Sequence, residues 1–469
     1  MLTFKAQVEQ DDLRLFFNAC LSATSQTERE DHAYAQRVGL DFLHQYICVN
    51  YRQIYALMAT LDINDHNRQR IVYALLSHPE DRNDTENEYI YQALKRLPVH
   101  RVYKLFAQLA TCRVNNRRTR RVIRGYIEQR NNLSFDVVKY RKLMRQILRH
   151  VHYPMSEDVF TFLYKNAWKK RVYTDPLLEN FRQAHFSEKA IYLLPFTIAE
   201  GLATQKGVPR ARFLKHIAPR LSAHEAWRLQ NAFEQSQVKL RRNLRPEKQS
   251  LMQLLLYGVS HPTEAVQEKY LETYFEKRFF NRAFFKNLRV ATVLDNSFST
   301  VGSRERKHRP LATAMGVDLF LQHMHLKAYY PFWTDPQQVK HALYRRARGA
   351  TALAHPFIKA LQTGADWVVL VSDGSENAPA RGVEWVLKHL EKNSDLLPKR
   401  PFVLHLNPVW NPREYQPRSL APGVVTLGIR DIEALPVLMA FGQFFQHRSS
   451  AEVLIQQLSQ QLSESRVNV

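Results

Sequence analysis

Two aspartates and three hydroxyl residues stand where short apolar runs of the sequence end. The run LRVATVL is followed directly by Asp295, and Ser297 and Ser299 come shortly after it. The run WVVLV leads through one serine to Asp373, and the intervening segment RGATAL contains Thr351. Carboxylate and hydroxyl oxygens are the hard ligands that Mg²⁺ or Mn²⁺ prefers. We therefore take these five residues as a candidate divalent-cation site.

These residues can meet only if the apolar runs are neighbouring strands of one sheet. From about residue 288 short β-rich runs alternate with helical ones, which predicts a doubly wound, mainly parallel sheet. Ligands of such sheets bind at the carboxyl ends of the strands, beside a change in strand order. The predicted strands are 288–294, 326–333, 366–372, 401–406 and 424–429. The predicted helices are 311–323, 341–362, 382–392 and 432–445, with Thr351 at the start of a helix after a turn at Gly349.

The first part of the chain has a helical pattern. From about residue 10 to 285 apolar residues recur three or four positions apart. Short breaks between helices indicate a stack of helical hairpins resembling HEAT-type repeats, although no repeat period is present. The predicted helices include 41–61, 88–110, 134–151 and 188–205. We predict an all-α helical-repeat domain over 1–286, an α/β domain over 287–450, and a closing helix and tail over 451–469.

The candidate site has plainer interpretations, and an enzyme is one alternative. Ser297 and Ser299 could cap a helix, and Asp373 could occupy a turn, but the five residues together favour a metal site. A phosphatase of the haloacid dehalogenase type needs an acidic residue at position 297, where this chain has serine. Phosphate-binding, zinc-protease and nucleophile-elbow motifs are absent, and His323 and His325 have no evident further zinc ligands. We expect a binding site and no catalysis.

The charge of the chain indicates a polyanionic partner. The formal net charge is +23, and the excess is concentrated in 101–150, where Lys and Arg are opposed only by Glu128 and Asp136. Arginine forks bind phosphates and aromatic rings stack on unpaired bases, so RNA fits this stretch and its Tyr126. A solvated basic face, or a surface for an acidic protein, is the alternative. The candidate RNA-binding residues are Arg113, Arg117, Arg118, Arg120, Arg121, Arg124, Arg130, Lys139, Arg141, Lys142 and Arg145.

The site residues carry a resemblance to a known family. Their types and order resemble the metal-ion-dependent adhesion site (MIDAS) of von Willebrand factor A (vWA) domains, D-x-S-x-S followed by Thr and Asp. VATVLDNSFST, RGATAL and VLVSDGSENAP, with the helix GVEWVLKHLEK, are similar to the vWA domain of the TROVE/vWA proteins of the Ro autoantigen family. The resemblance is specific over about 290–450 and architectural before it, where the family's usual Gly-rich opening segment is missing.

The resemblance has implications for both metal binding and RNA binding. It implies that Ser297 and Ser299 coordinate the ion directly and that the aspartates and Thr351 help directly or through water. An open position would then accept an acidic group of a partner. It also implies a ring of helical repeats closed by the vWA domain, which binds single-stranded RNA ends and small structured RNAs. A second interpretation is an adaptor without RNA, whose ion recruits an acidic protein such as an ATPase or a defence-system component.

The cysteines and the apolar runs of the sequence indicate the cellular compartment of the protein. Cys20, Cys48 and Cys112 are far apart and form no C-x-x-C pair, so we expect buried reduced thiols. The first residues lack the basic and apolar regions of a signal peptide, and the apolar stretch 251–259 is too short to span a bilayer. We expect a cytoplasmic protein without membrane association, and we favour a monomer.

Overall fold

The computed structural model of the chain describes residues 4–23, 33–61, 63–79, 84–165, 167–168, 172–239, 249–260, 264–277, 285–303, 306–339, 341–397, 399–411 and 416–447. The predicted closing helix and tail at 451–469 therefore lie outside the described residues. By packing, the chain divides into two compact units. The first consists of Met1–Ile71 with Gln249–Val469, and the second of Val72–Lys248.

Helices make up the described chain as far as residue 277, and from Arg289 they alternate with strands. The helices are α1 (Phe4–Ser22), α2 (Ala33–Asn50), α3 (Arg52–Met58), α4 (Asp65–Ser77), α5 (Asp84–Arg96), α6 (Val99–Thr111), α7 (Arg117–Glu128), α8 (Leu133–Lys139), α9 (Arg141–His150), α10 (Glu157–Tyr164), α11 (Pro176–Phe186), α12 (Glu188–Ile191), α13 (Phe196–Gln205), α14 (Arg210–Ile217), α15 (Ala223–Arg228), α16 (Gln230–Gln235), α17 (Leu251–Ser260), α18 (Glu264–Lys277), α19 (Arg309–Gln322), α20 (Ala354–Gln362), α21 (Gly382–Lys392) and α22 (Leu435–His447). The strands are β1 (Arg289–Leu294), β2 (Ala328–Trp333), β3 (Trp367–Val371), β4 (Phe402–Asn407) and β5 (Val425–Gly428).

The five strands form one parallel sheet in the first unit. Their order is β2-β1-β3-β4-β5, so the chain reverses its direction of travel across the sheet between β1 and β3. Leu294, the last residue of β1, pairs with Trp333 of β2 and Val371 of β3. The carboxyl ends of these three strands therefore lie together, as the doubly wound prediction requires. The fold class predicted from the sequence is confirmed.

Apolar side chains on both faces of β1 and β3 explain why the sheet is buried between helices. On one face Val293 and Leu370 pack against Phe357 of α20 and Val383 of α21. Continuous apolar runs are typical of parallel strands that are covered on both faces. On this scaffold the loops after β1 and β3 are held at fixed positions.

The N-terminal helix α1 belongs to this unit because it protects the edge strand β5. The Asn18 side chain donates to the carbonyl oxygen of Thr426 at 3.1 Å and accepts from the amide of Gly428 at 2.9 Å. These bonds occupy backbone groups that an edge strand otherwise leaves open to pairing with another chain. Phe17 also stacks on Phe441 of α22, with ring centroids 4.4 Å apart.

The second unit, Val72–Lys248, is helical throughout its described residues, and α6 packs against α9 and α11 against α12. Several predicted helices are in fact pairs of shorter ones. The predicted helix 88–110 ends at Arg96 and resumes at Val99, and the predicted helix 188–205 is interrupted before Phe196. Pro98 and Pro195 stand at these breaks, because proline has no amide hydrogen and clashes with the preceding turn.

The three cysteines differ in burial. Cys20 and Cys48 are buried, whereas Cys112 is exposed at the end of α6, so the expectation of burial is wrong for Cys112.

Across the described residues, every helix is too short or too polar to cross a membrane.

Gly316 in α19 gives a test of this packing. A Cβ atom at Gly316 would lie 2.8 Å from Cγ1 of Ile432 and 2.9 Å from Cδ1 of Leu255. We expect Gly316→Ala to lower the free energy of unfolding by roughly 1–3 kcal/mol, because overpacking outweighs the better helix propensity of alanine. Gly201→Ala in α13 is the matched control, since among the described residues nothing outside the helix's own backbone lies within 4 Å of its Cβ position. It should raise stability by up to about 1 kcal/mol. Denaturant unfolding measures both, and equal effects would contradict the packing around Gly316.

Candidate metal centre and basic groove

The two aspartates of the candidate metal centre are brought together by the pairing of β1 with β3. The ladder continues one residue beyond β1, because the amide of Asp295 donates to the carbonyl oxygen of Val371 at 3.0 Å. Asp373 follows Val371 by two residues and is also buried. The two carboxylates are close enough for Asp373 to raise the pKa of Asp295.

The three hydroxyl groups meet in the same place. Ser297 Oγ lies 3.0 Å from Ser299 Oγ and accepts a hydrogen bond from Thr351 Oγ1 at 2.9 Å. The Ser297 amide donates to Oδ1 of Asp295 at 2.8 Å. Ser297 and Thr351 are buried, whereas Ser299 is partly exposed. The three hydroxyls thus form one connected group, which is joined to Asp295 through Ser297.

Thr351 reaches this group from a loop, so the prediction that it begins a helix is wrong. The helix α20 starts only at Ala354. Gly349 has a φ of +75°, a conformation that favours glycine, and its carbonyl oxygen accepts from the amide of Phe298 at 3.0 Å. The amide of Thr351 is held by Oδ1 of Asn377 at 2.9 Å. These bonds between loops replace the helical bonds that the segment 341–353 was expected to make.

The electrostatics of Asp295 fit a cation. Its side chain is 1% exposed, and among the described residues its Oδ2 has no hydrogen-bond partner. Burial, and secondarily the charge of Asp373, raise the pKa of Asp295 to about 6 against the hydrogen bonds from Ser297 and Thr334. A buried polar atom left without a partner is rare in proteins and requires an explanation. A divalent ion held by these carboxylates and hydroxyls would provide one.

Three further side chains position the site and were not predicted from the sequence, those of Asn296, Thr334 and Glu376. Asn296 Oδ1 accepts from Thr334 Oγ1 and from the amide of Asp335, both at 2.9 Å, and so ties the loop after β1 to the loop after β2. Glu376 accepts from the amides of Leu353 at 3.1 Å and Val383 at 2.8 Å. An acid shortly before the predicted helix 382–392 was the available signal for Glu376, because carboxylates satisfy the unpaired amides of helix starts.

The described residues contain no group of three or more His, Cys, Asp or Glu side chains suited to holding a metal. The candidate centre is instead built from two carboxylates and three hydroxyls. That donor set suits Mg²⁺ or Mn²⁺ better than the softer transition metals, which favour imidazole and thiolate.

The second candidate site is on α7. Asn116 caps this helix by accepting from the amide of Thr119 at 2.8 Å, and Val122, Ile123 and Ile127 are buried on its inner face. Arg117, Arg120, Arg121 and Arg124 recur at spacings of three and four positions, so they share the outer face. They border a groove of about 630 Å³, which we call the basic groove. Its lining consists of Tyr91, Arg117, Arg120, Arg121, Arg124, Gly125 and Glu128.

The candidate RNA-binding residues fall into two groups, an exposed group and a group with internal contacts. The exposed ones are Arg113, Arg117, Arg120, Arg121, Lys139, Lys142 and Arg145. Those with internal contacts are Arg118, Arg124, Arg130 and Arg141. Only the first group presents its charge mainly to solvent.

Two arginines of the second group form ion pairs with buried carboxylates. Arg118 Nη1 lies 2.7 Å from Glu86 Oε1, and Arg130 Nε lies 2.6 Å from Asp136 Oδ2. Asp136 is fully buried and also accepts from the Tyr103 hydroxyl at 2.7 Å. These arginines offset buried negative charge, which is a structural task.

The other two arginines of that group bind backbone carbonyls. Arg124 donates to the carbonyl oxygen of Val151 through Nε at 2.9 Å and Nη2 at 2.6 Å, although it also lines the basic groove. Arg141 donates to the carbonyl oxygen of Phe162 at 2.8 Å and lies over its ring at 4.9 Å. Both guanidinium groups are therefore held in place by neighbouring helices.

The helices α1 to α18 precede a doubly wound parallel sheet, and D-x-S-x-S follows the first strand of that sheet. The chain is similar to the crystal structure of the RO (RSR) protein of Deinococcus radiodurans, over 92% of this chain and 99% of that chain. The TM-score is 0.53 and the sequence identity 13%, a likeness that shows the fold and confirms the expected Ro-like architecture. No protein-family model and no curated protein sequence matches the chain.

Asp295→Asn tests the metal centre. The substitution would remove a candidate ligand and a buried charge, so we expect it to abolish any rise in melting temperature that Mn²⁺ causes in the wild type. The metal-free variant should be at least as stable as the wild type, because a neutral amide costs less to bury than a carboxylate. Melting curves and calorimetric titration with Mn²⁺ measure both effects.

Asp318→Asn is the control for this experiment. Asp318 is another buried aspartate of the same unit, but it accepts from the Tyr329 hydroxyl at 2.8 Å and from Gln322 at 2.9 Å. Its variant should keep the response to Mn²⁺. A response that survives in Asp295→Asn would show that the ion binds elsewhere.

Neighbouring arginines of α7 test the division into two groups. We expect Arg118→Ala to lower the free energy of unfolding by roughly 2–4 kcal/mol, because Glu86 loses an ion-pair partner in a buried position. Arg117→Ala should change it by no more than about 0.5 kcal/mol, because Arg117 is exposed. Urea unfolding of the two variants measures both changes in free energy. Similar stabilities would refute the division of the arginines into an exposed group and a group with internal contacts.

Proposed function

We propose that this protein is a Ro-like RNA-binding protein and that the basic groove holds the RNA. The single observation that carries the proposal is the row of arginines on α7 beside Tyr91, in a chain with a Ro-like fold. We further propose a cytoplasmic monomer without catalytic activity.

The groove has the chemistry that single-stranded RNA requires. Arg117, Arg120 and Arg121 are exposed, and their planar forks match the oxygens of successive phosphates. Tyr91 offers an aromatic ring, and Gly125 leaves the groove open beside it, since even an added Cβ would lie 3.9 Å from the Tyr91 hydroxyl. Aromatic rings bind unpaired bases by stacking with little regard to sequence. A small acidic ligand would use neither the length of the arginine row nor the ring.

The metal centre is proposed as a docking site for an anionic group. Ser297, Ser299, Thr351, Asp295 and Asp373 would hold Mg²⁺ or Mn²⁺, and the ion, when bound, would offer an open coordination position to an anion. The second candidate function, an adaptor that recruits an acidic protein, rests on this centre alone. The partnerless Oδ2 of Asp295 supports it as much as it supports the RNA-binding proposal.

A charge reversal in the basic groove tests RNA binding. We expect Arg117→Glu combined with Arg121→Glu to weaken binding of single-stranded RNA by at least about a hundredfold at moderate salt, since two phosphate contacts become repulsive. The slope of affinity against salt concentration should also become shallower. Fluorescence anisotropy with labelled RNA measures both.

The control carries the same change of charge at another place. Lys189 and Lys215 are exposed residues of α12 and α14, outside the basic groove, and Lys189→Glu with Lys215→Glu should cost far less affinity. Equal losses in the two double variants would mean that net charge alone binds the RNA. A pull-down with and without nuclease distinguishes the adaptor function from RNA binding. The protein partner of an adaptor would still be captured after nuclease digestion and would no longer be captured by Asp295→Ala.

A further inference from the structure

An exposed aromatic side chain stands inside the metal-binding loop. Phe298 lies between Ser297 and Ser299 in the sequence, and 72% of it is exposed. Its amide is bonded to the carbonyl oxygen of Gly349 at 3.0 Å, so its backbone is fixed. Neither the proposed ion nor the sheet explains a large apolar ring held in solvent at this position.

Arg348 stands next to the same loop. Its amide donates to the carbonyl oxygen of Asn296 at 2.7 Å, which fixes the two segments side by side. The side chain is 79% exposed, and its one ion-pair contact among the described residues is distant, with Nε 4.0 Å from Oδ2 of Asp335. Arg346, two residues earlier, is also exposed, but it donates to carbonyl oxygens of its own loop.

Arg418 stands beside the loop that carries Asp373. Its carbonyl oxygen accepts from Asn407 at 3.0 Å and would lie 2.7 Å from a Cβ at Gly374, whose φ is +75°. The exposed guanidinium donates to Ser375 Oγ at 3.2 Å. One arginine thus adjoins the first loop of the metal centre, and another adjoins the loop after β3.

We infer that Phe298, Arg348 and Arg418 form a rim that binds the terminal phosphate of a single-stranded RNA, with the terminal base stacked on Phe298. The inference rests on the proposed RNA-binding function and adds a second contact point for the same ligand. It assigns the exposed ring and the two arginines a joint role at the metal centre.

A terminal phosphate fits this rim better than a carboxylate does. A phosphomonoester has three terminal oxygens and carries close to two negative charges at neutral pH. Each arginine can take one oxygen, and one is left for the ion. A carboxylate has two oxygens and one charge, and an internal phosphodiester has two free oxygens. Only a terminal nucleotide joins a third oxygen to a base that can stack on an exposed ring.

The test compares the ends of one RNA. Three versions of a short oligouridine, with a 5′-phosphate, with a 3′-phosphate and with hydroxyl ends, are titrated with the full chain in Mg²⁺ and in EDTA. We expect one phosphorylated version to bind about tenfold more tightly than the hydroxyl version in Mg²⁺, and the preference to vanish in EDTA.

Surface variants assign the preference to the rim. Phe298→Ala, and Arg348→Gln with Arg418→Gln, should each remove most of the preference for the phosphorylated end. Trp385→Ala is the matched aromatic control, since Trp385 is 70% exposed on α21. Lys359→Gln with Lys392→Gln is the matched charge control, since both lysines are exposed. Both controls should keep the preference.

Equal affinity for the three oligonucleotides, or binding of none, overturns the inference. The inference is also overturned if the rim variants retain the preference. It is overturned as well if a short acidic peptide that contains phenylalanine binds the rim more tightly than the RNA end and displaces it. Failure of the groove proposal has a different signature, because it concerns binding of the hydroxyl version and its loss on charge reversal of Arg117 and Arg121.

Discussion

The hydrogen bond from the Asp295 amide to the Val371 carbonyl oxygen is the interaction on which the candidate metal centre depends. It extends the pairing of β1 with β3 past the end of the strand and fixes where the chain turns into its first loop. Because the two strands are parallel and in register at Leu294 and Val371, the acidic residues that follow them emerge side by side. A shift of one residue would turn every side chain of β1 to the other face and would separate the carboxylates.

Such a centre has a cost that the surrounding structure must offset. Burying two carboxylates beside each other is unfavourable, and the raised pKa of Asp295 records that penalty. The polar groups around them are otherwise well bonded: Asn296 is held by Thr334, and Glu376 serves the amides of Leu353 and Val383. Among the described residues the buried Oδ2 of Asp295 has no hydrogen-bond partner, and a bound cation would provide that interaction.

The sequence predicts the sheet, and it indicates that the five candidate residues lie near one another, because both signals are local. Apolar runs mark the strands, and the site residues follow the runs directly. The loop at Thr351 was missed because its helical pattern is overruled by bonds to Asn296 and Asn377, which are distant in the sequence. The same reason applies to α7 and the residues that follow it. Periodicity gives the outer face of α7, but only the positions of Glu86 and Asp136 show that Arg118 and Arg130 are structural. Contacts between side chains that are far apart in the sequence do not change the periodicity of its apolar residues, so periodicity does not reveal them.

The net charge of +23 accounts for attraction to nucleic acid but not for selection among nucleic acids. Attraction between cations and phosphates is long-ranged, falls with salt and depends little on sequence. Selection requires groups whose interaction depends on the shape or the end of the ligand. The chain offers an aromatic ring at each candidate site, Tyr91 in the basic groove and Phe298 at the metal centre. A ring stacks only on a base that is unpaired, so both sites would discriminate against duplexes, and charge alone would not.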